Sequence, residues 1–204
     1  MSYLSQALMP MQTALHAQLA DGYAWHKAIW EAFPGRPDAQ RDFLFRIDAR
    51  TRAYRILLLS AVMPTDTPLL KWQSKEVAPG FLGHVRYRFQ LKANPTFRRN
   101  KDKRRIALYK EEDLHEWLAD KLKGAGALLE EPVAIGAPVD EFLNDERFMQ
   151  GRKPTTRHDP KHVSVDFEGV LRVQDSAAFT AAFYKGIGSA KGFGYGLLML
   201  QPIH

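Results

Sequence analysis

No cysteine occurs among the 204 residues. Disulfide staples and thiolate metal sites are therefore excluded, and a reducing compartment is compatible. No apolar run approaches the ~18 residues of a membrane span, and the polar N-terminus lacks a basic segment followed by an apolar one. A cytoplasmic chain without a membrane partner is expected. The familiar nucleotide fingerprints are missing too. A P-loop needs G-K-[ST] after four spacers, and none occurs; a dinucleotide fold needs G-x-G-x-x-G opening a helix, which this chain does not offer. Histidine pairs spaced for zinc fail as well. His158 and His162 are four apart, but Pro160 lies between them and spoils a helical pair. Glu112, His115 and Glu116 read as the solvated face of an acidic helix. No metal and no cofactor are expected.

Glycine, by contrast, is crowded into the tail. Gly186-Ile187-Gly188-Ser189-Ala190-Lys191-Gly192-Phe193-Gly194-Tyr195-Gly196 runs into the apolar stretch Leu197 to Leu200. Glycine reaches φ > 0 cheaply and has no Cβ, so successive N–H groups can turn toward the oxygens of a phosphate. Gly188, Lys191, Gly192 and Gly194 are the candidate contacts. The same composition also fits a turn that launches the last strand, and the two readings stand side by side.

Near the other end, Asp21 to Pro34 reads as a helix with an Asp N-cap and a Pro stop. At about 100° per residue, Trp25, Ala28, Ile29 and Ala32 form an apolar stripe. Tyr23, His26 and Trp30 share a neighbouring arc, with Lys27 at its edge. One face is built for a core, and the other carries a phenol, an imidazole and an amine.

The formal charge of +6 predicts an anionic partner, and its distribution says more than its total. Arg98, Arg99, Lys101, Lys103, Arg104 and Arg105 form one basic cluster. Arg152, Lys153, Arg157, His158, Lys161 and His162 form a second, within a long Pro-punctuated stretch, Pro138 to His162. Acidic residues gather elsewhere, in Glu111 to Asp120 and Asp140 to Glu146. Two basic clusters set apart by acidic surface describe a track for a polyanion.

The element pattern divides into similar halves. The first offers a strand near Tyr3 to Leu8, the helix Gly22 to Phe33, strands Asp42 to Asp48 and Tyr54 to Met63, a short helix around Thr67 to Gln73, and a strand Gly83 to Leu91. The second offers Arg105 to Tyr109, a helix Glu111 to Leu122, strands near Leu128 to Ile135 and Val163 to Val173, a helix Asp175 to Tyr184 and a strand Tyr195 to Leu200. Each half is β-α-β-β-α-β, the ferredoxin-like unit of an α+β fold. Two domains are expected, 1–95 carrying the histidine helix and 96–204 carrying the glycine-rich loop and the second basic cluster as a hairpin arm, with the boundary near Asn94 to Asn100.

Several of these segments together resemble one family. Tyr23-x-x-His26-x-x-Ile29-Trp30-x-x-Phe33-Pro34, Arg41-Asp42-Phe43-Leu44-Phe45-Arg46, Leu91-x-Ala93-Asn94-Pro95, Phe167-Glu168-Gly169-Val170-Leu171 and the glycine-rich tail, in this order and at compatible spacing, are similar to the CasE family. These are CRISPR RNA-processing endoribonucleases of the RAMP superfamily. The sequence departs from the family pattern at Ser2 to Gln12, which reads as less regular than the usual first strand. The resemblance implies a tandem ferredoxin-like fold and an active-site tyrosine and histidine at Tyr23 and His26. It also implies a hairpin of CRISPR repeat RNA as partner, and retention of the mature guide RNA in an interference complex with other Cas subunits.

The chemistry asked of these residues is modest. The 2′-hydroxyl of RNA can attack the adjacent phosphate once a base takes its proton and an acid protonates the departing 5′-oxygen. Histidine suits either task near neutral pH, so His26 is the candidate for proton transfer and Tyr23 for positioning the phosphate. Lys27, Lys185 and Lys191 are candidates to neutralise the phosphorane. The alternative is a guide-RNA-binding subunit without catalysis, which has no need of His26 with Tyr23.

Overall fold

Buried and outward-facing side chains alternate along the second half of Tyr3–Pro10 (β1), with Ser5, Ala7 and Met9 inward and Leu8 and Pro10 exposed. The strand expected near Tyr3 to Leu8, in a segment read as less regular than the family's usual first strand, is thus a regular strand of eight residues. Its neighbours were established from a computed structural model, which describes residues 1–35, 42–102, 104–141 and 162–203. The chain divides into two compact units, the first comprising Met1–Val77 with Gly192–Gly194, the second Ala78–Asp140, His162–Lys191 and the residues from Tyr195 onward.

In the first unit, β1 leads into a short helix, Met11–His16 (α1), which the sequence pattern did not announce, and then into Gly22–Trp30 (α2). Strand Phe43–Ala49 (β2) pairs with Ala53–Ser60 (β3), β3 pairs with β1, and β1 pairs with Gln73–Glu76 (β4), all antiparallel. The order β2-β3-β1-β4 is that of a ferredoxin-like sheet. The helix ends at Trp30 rather than at Phe33, and its apolar stripe closes the core together with the turn that follows: Trp25, Ala28 and Ile29 of α2 and Ala32 just beyond it are each at most 5% exposed, against Met9, Phe43, Phe45, Ile56 and Leu58. Removing a side chain such as Ile29 from water contributes about 1.5 to 3 kcal/mol.

Two expectations fail in this unit. The short helix around Thr67 to Gln73 is absent. The Thr67 hydroxyl accepts from the Leu70 N–H at 3.0 Å, and the Asp66 carboxylate accepts from the Trp72 N–H at 2.9 Å, so side chains take the turn's backbone donors. The fourth strand is the wholly exposed Gln73–Glu76 rather than Gly83 to Leu91.

Strand Arg86–Ala93 (β5) belongs to the second unit, where it pairs on one side with His162–Val173 (β10) and on the other with Leu198–Pro202 (β11). The hairpin segments Thr96–Arg98 (β6) and Arg105–Ala107 (β7) pair only with each other. Helix Glu111–Gly124 (α3) leads to Ala127–Ile135 (β8), which pairs with β10, as does Val139–Glu141 (β9). Helix Ser176–Lys185 (α4) precedes β11. The sheet order β11-β5-β10-β8 repeats the ferredoxin-like arrangement, with β5 as its first strand.

The boundary expected near Asn94 to Asn100 is corrected accordingly. Tyr87, Phe89 and Leu91 of β5 are fully buried in the second core, so the units divide at Val77/Ala78. Arg105 to Tyr109, expected as the second sheet's first strand, is instead half of the β6–β7 ribbon. The architecture is α+β with tandem ferredoxin-like units, the first lacking the second helix among its described residues. No helix among them is long and apolar enough to cross a membrane.

Candidate active site and nucleic-acid interface

A helix start leaves N–H groups without intrahelical partners. Asp21 answers this for α2: its carboxylate accepts from the Ala24 N–H at 2.8 Å. The first helical residue is Gly22 for a steric reason, because a Cβ there would lie 2.9 Å from both Cα and the carbonyl oxygen of Phe193. The following turns then present the three polar groups. Tyr23 is 60% exposed, Lys27 is exposed, and its Nζ lies 6.0 Å from the centre of the Tyr23 ring.

His26 sits deeper, half-buried among aromatic rings. Its imidazole stacks on Phe43 with centroids 5.5 Å apart and planes at 27°, and also meets Trp30 at 5.8 Å and Phe45 at 6.3 Å. Phe43 and Phe45 occupy alternate positions of β2, whose buried face thereby supplies the wall of the histidine's seat. The sequence pattern marked these residues as part of a strand and of the family resemblance but not as site residues, although their spacing of two was the available signal. The arrangement fixes the imidazole ring on one side and leaves a phenol and an ammonium beside it at the surface. That combination can move a proton and steady an anion.

The glycine-rich tail divides its work. Gly186 (φ 78°) ends α4, its N–H donating to the Ala182 carbonyl at 2.8 Å. The Ile187 N–H donates to Gly196 at 2.9 Å and the Gly196 N–H donates to Lys92 at 2.8 Å, closing the loop's base on β5. At Gly196 (φ 86°) a Cβ would stand 2.4 Å from the Ile187 carbonyl oxygen. Such positions require glycine for the turn itself. Gly192, in the 3-10 turn Lys191–Phe193, is not among the positive-φ residues, so its glycine has no such conformational cause. Gly188 and Gly194 have φ of 79° and 91° and are packed against Trp117 and Phe45 respectively. Lys185 is exposed in the last turn of α4, and Lys191 is half-buried.

The first basic cluster is a ribbon. Arg98 and Arg105 are register partners across β6 and β7, a placement that sets like charges side by side. At its tip Asp102 accepts from the guanidinium of Arg99 and from the Arg104 N–H, the latter at 3.1 Å, and the Arg99 bond holds its carboxyl below the ordinary value of 3.8. Arg98, Arg99, Lys101, Arg104 and Arg105 are all exposed. Lys103 and, from the second cluster, Arg152, Lys153, Arg157, His158 and Lys161 lie outside the described residues, as does Arg41, whereas the cluster's last member, His162, is half-buried at the start of β10 with its ring against Tyr195. His115 pairs with Glu131 of β8 at 2.5 Å, as a solvated helix face allows. Among the described residues no group of three or more His, Asp or Glu is placed to hold a metal ion.

Comparison with known proteins places these features in a lineage. A family model described as CRISPR associated protein matches residues 2–202. The chain is 33% identical to the CRISPR system Cascade subunit CasE of Escherichia coli (strain K12), over 98% of this chain and 100% of that protein. It is 28% identical to the CRISPR-associated endoribonuclease Cse3 of Thermus thermophilus, over 96% of this chain and 97% of that protein. A solved structure of Thermus thermophilus Cse3, bound to an RNA representing a pre-cleavage complex, superposes with a TM-score of 0.79 at 25% identity, covering 98% of this chain and 99% of that one. With its sequence matched nearly end to end and both sheets in ferredoxin-like order, the chain belongs to the CasE family of CRISPR-associated proteins.

Proposed function

We propose that this protein is an endoribonuclease that binds the repeat stem-loop of CRISPR precursor RNA, cuts at the 3′ base of the stem and retains the mature guide RNA. The observation that carries this reading is the α2 face, where His26 is seated on Phe43 beside exposed Tyr23 and Lys27. A relative named as an endoribonuclease and a related structure holding a pre-cleavage RNA support it. The naming of the Escherichia coli relative as a Cascade subunit supports assembly with other Cas proteins; a cytoplasmic location is part of the same proposal.

In the reaction, the 2′-oxygen bonds to phosphorus while the bond from phosphorus to the 5′-oxygen breaks. One proton leaves the 2′-hydroxyl and one reaches the 5′-oxygen. His26 transfers a proton, and its fixed ring lowers the reorganisation needed to reach the scissile atoms. The Tyr23 hydroxyl orients the phosphate, and Lys27 opposes the charge that grows on its non-bridging oxygens. Lys185 and Lys191 with the glycine-rich loop, and the ribbon of Arg98, Arg99, Lys101, Arg104 and Arg105, hold the backbone of the RNA. The nucleophile is part of the substrate, so the residues need supply only proton transfer and charge.

Incubating the protein in EDTA with RNA carrying its own genomic repeat, and mapping both new ends, tests the proposal. A single cut at the 3′ base of the stem with a 2′,3′-cyclic phosphate and a 5′-hydroxyl is expected. Tight binding without cleavage would mark a non-catalytic guide-RNA subunit instead.

A further inference from the structure

Asn94 follows the last residue of β5 and is only 5% exposed, yet it carries a polar side chain into the second unit. Its amide nitrogen lies 2.9 Å from Nδ1 of His162, the first residue of β10. An amide nitrogen only donates, so Nδ1 is the acceptor in this pair. Each partner also touches the glycine-rich loop. The Ser189 hydroxyl donates to the Asn94 backbone carbonyl at 3.3 Å, on the loop's incoming flank. The His162 ring meets the buried Tyr195 ring edge-on, with centroids 5.8 Å apart, on the outgoing flank.

These flanks need external support. Gly186, Gly188 and Gly196 all have positive φ, and so does Ala190, at 57°, where a Cβ makes the conformation unfavourable. Backbone held in such wells persists when its surroundings over-determine it. The hydrogen bonds of Ile187 and Gly196 fix the loop's base, whereas Ser189 and Tyr195 are reached only further along each flank. A bond between Asn94 and His162 ties the ends of two adjacent strands together where those flanks rest.

We propose that Asn94 and His162 are positioning residues for RNA binding: their amide–imidazole pair sets the two flanks of the glycine-rich loop, Gly186–Lys191 and Tyr195–Gly196, in the conformation that receives the RNA backbone. They act through the loop and touch neither the RNA nor the reacting atoms. The inference rests on the proposed function for its ligand, though its structural half does not.

Two measurements separate those halves. In the protein alone, amide hydrogen exchange at Ile187 and Gly196 quickens in Asn94→Ala and His162→Leu, while the buried strand β3 of the first unit keeps its protection. Asparagine can place its Oδ1 near the position of Nδ1, so His162→Asn restores both the acceptor and the slow exchange. With repeat hairpin RNA, Asn94→Ala and His162→Leu raise KM about fivefold to tenfold, the worth of roughly one hydrogen bond, and leave kcat at saturating RNA unchanged. The KM effect of Lys191→Ala then shrinks in the Asn94→Ala background, because both changes act through one loop.

Unchanged exchange at Ile187 and Gly196 in Asn94→Ala overturns the inference, as does a kcat loss matching the KM change or a failure of His162→Asn to rescue. A wild-type protein that neither binds nor cuts the hairpin removes the functional reading instead, and leaves the exchange result standing.

Discussion

The imidazole of His26 lies against the ring of Phe43, with centroids 5.5 Å apart and planes inclined by 27°. The helix side chain proposed to transfer the proton is thereby packed on a strand residue that is itself 2% exposed. Removing the imidazole and removing its support have different consequences. His26→Ala should slow cleavage of the repeat hairpin by ~10²- to 10⁴-fold, as for a lost acid or base, with affinity nearly unchanged. Phe43→Leu should leave the imidazole in place but loosen its orientation, with a smaller loss in kcat. Single-turnover cleavage and equilibrium binding on both variants check this. Full activity in His26→Ala would remove the residue from the mechanism.

The basic ribbon predicts opposite signs for stability and binding. Arg98 and Arg105 are register partners, and like charges so placed repel until an anion lies over them. Arg105→Ala should therefore leave the melting temperature unchanged or slightly raised while weakening the hairpin complex. The slope of log affinity against log salt should become shallower by about 0.7 to 0.9 for a lost phosphate contact. A parallel fall in melting temperature and affinity would assign Arg105 to the ribbon's fold instead.

How much of this was legible in the sequence follows from which interactions are local. The α2 helix was readable because its cap, its apolar stripe and its polar arc all lie within one short segment: Asp21, then Trp25, Ala28, Ile29 and Ala32, then Tyr23 and His26. Strand β4 was not. Its residues Gln73 to Glu76 are exposed and polar, and they are a strand only because their backbone pairs with β1 some seventy residues earlier. The same cause displaced the boundary between the halves. The alternation of Arg86-Tyr87-Arg88-Phe89-Gln90-Leu91 announces a strand, but nothing in it says which sheet will receive Tyr87 and Leu91. Of the candidate site, the residue types on α2 and in the tail were visible, whereas the seat of His26 on Phe43 and Phe45 is made by the tertiary fold.

A pH prediction comes from the first sheet. Asp48 and Arg55 are register partners on β2 and β3, and the carboxylate accepts from Arg55 at 2.6 Å and from Arg46 at 2.6 Å. Burial by itself would raise the Asp48 pKa, but the hydrogen bonds and charges of Arg55 and Arg46 outweigh it and hold the carboxyl below its ordinary 3.8. A depressed folded-state pKa stabilises the fold above the unfolded value, and that contribution is lost as pH falls through the folded one. The melting temperature of the wild type should fall steeply as pH drops below about 4, the usual carboxylate range. In Asp48→Asn the fall should be shallower, and the variant should be less stable at neutral pH by about 1 to 2 kcal/mol, between an exposed pair and a buried one. Parallel pH profiles would remove Asp48 from the acid transition.

The tail offers the sharpest separation of turn from cradle, because its glycines are not equivalent. Gly196 needs its lack of a side chain to exist at all, with φ of 86° and the Ile187 carbonyl oxygen 2.4 Å from any Cβ. Gly196→Ala should lower the melting temperature, and a loss of RNA binding in it would say little about phosphates. Gly192 carries no positive φ and lies in a 3-10 turn, a conformation alanine adopts readily, so Gly192→Ala should keep or slightly raise the melting temperature. If the backbone at this position meets the RNA, the added methyl should push a phosphate away, and hairpin affinity should fall in a protein that is otherwise intact. Lys191→Ala should weaken binding with a reduced salt slope. Melting temperature and hairpin affinity measured on the three variants decide between the readings. Unchanged affinity in Gly192→Ala and Lys191→Ala, with instability confined to Gly196→Ala, would leave the loop as a turn that launches β11 and nothing more.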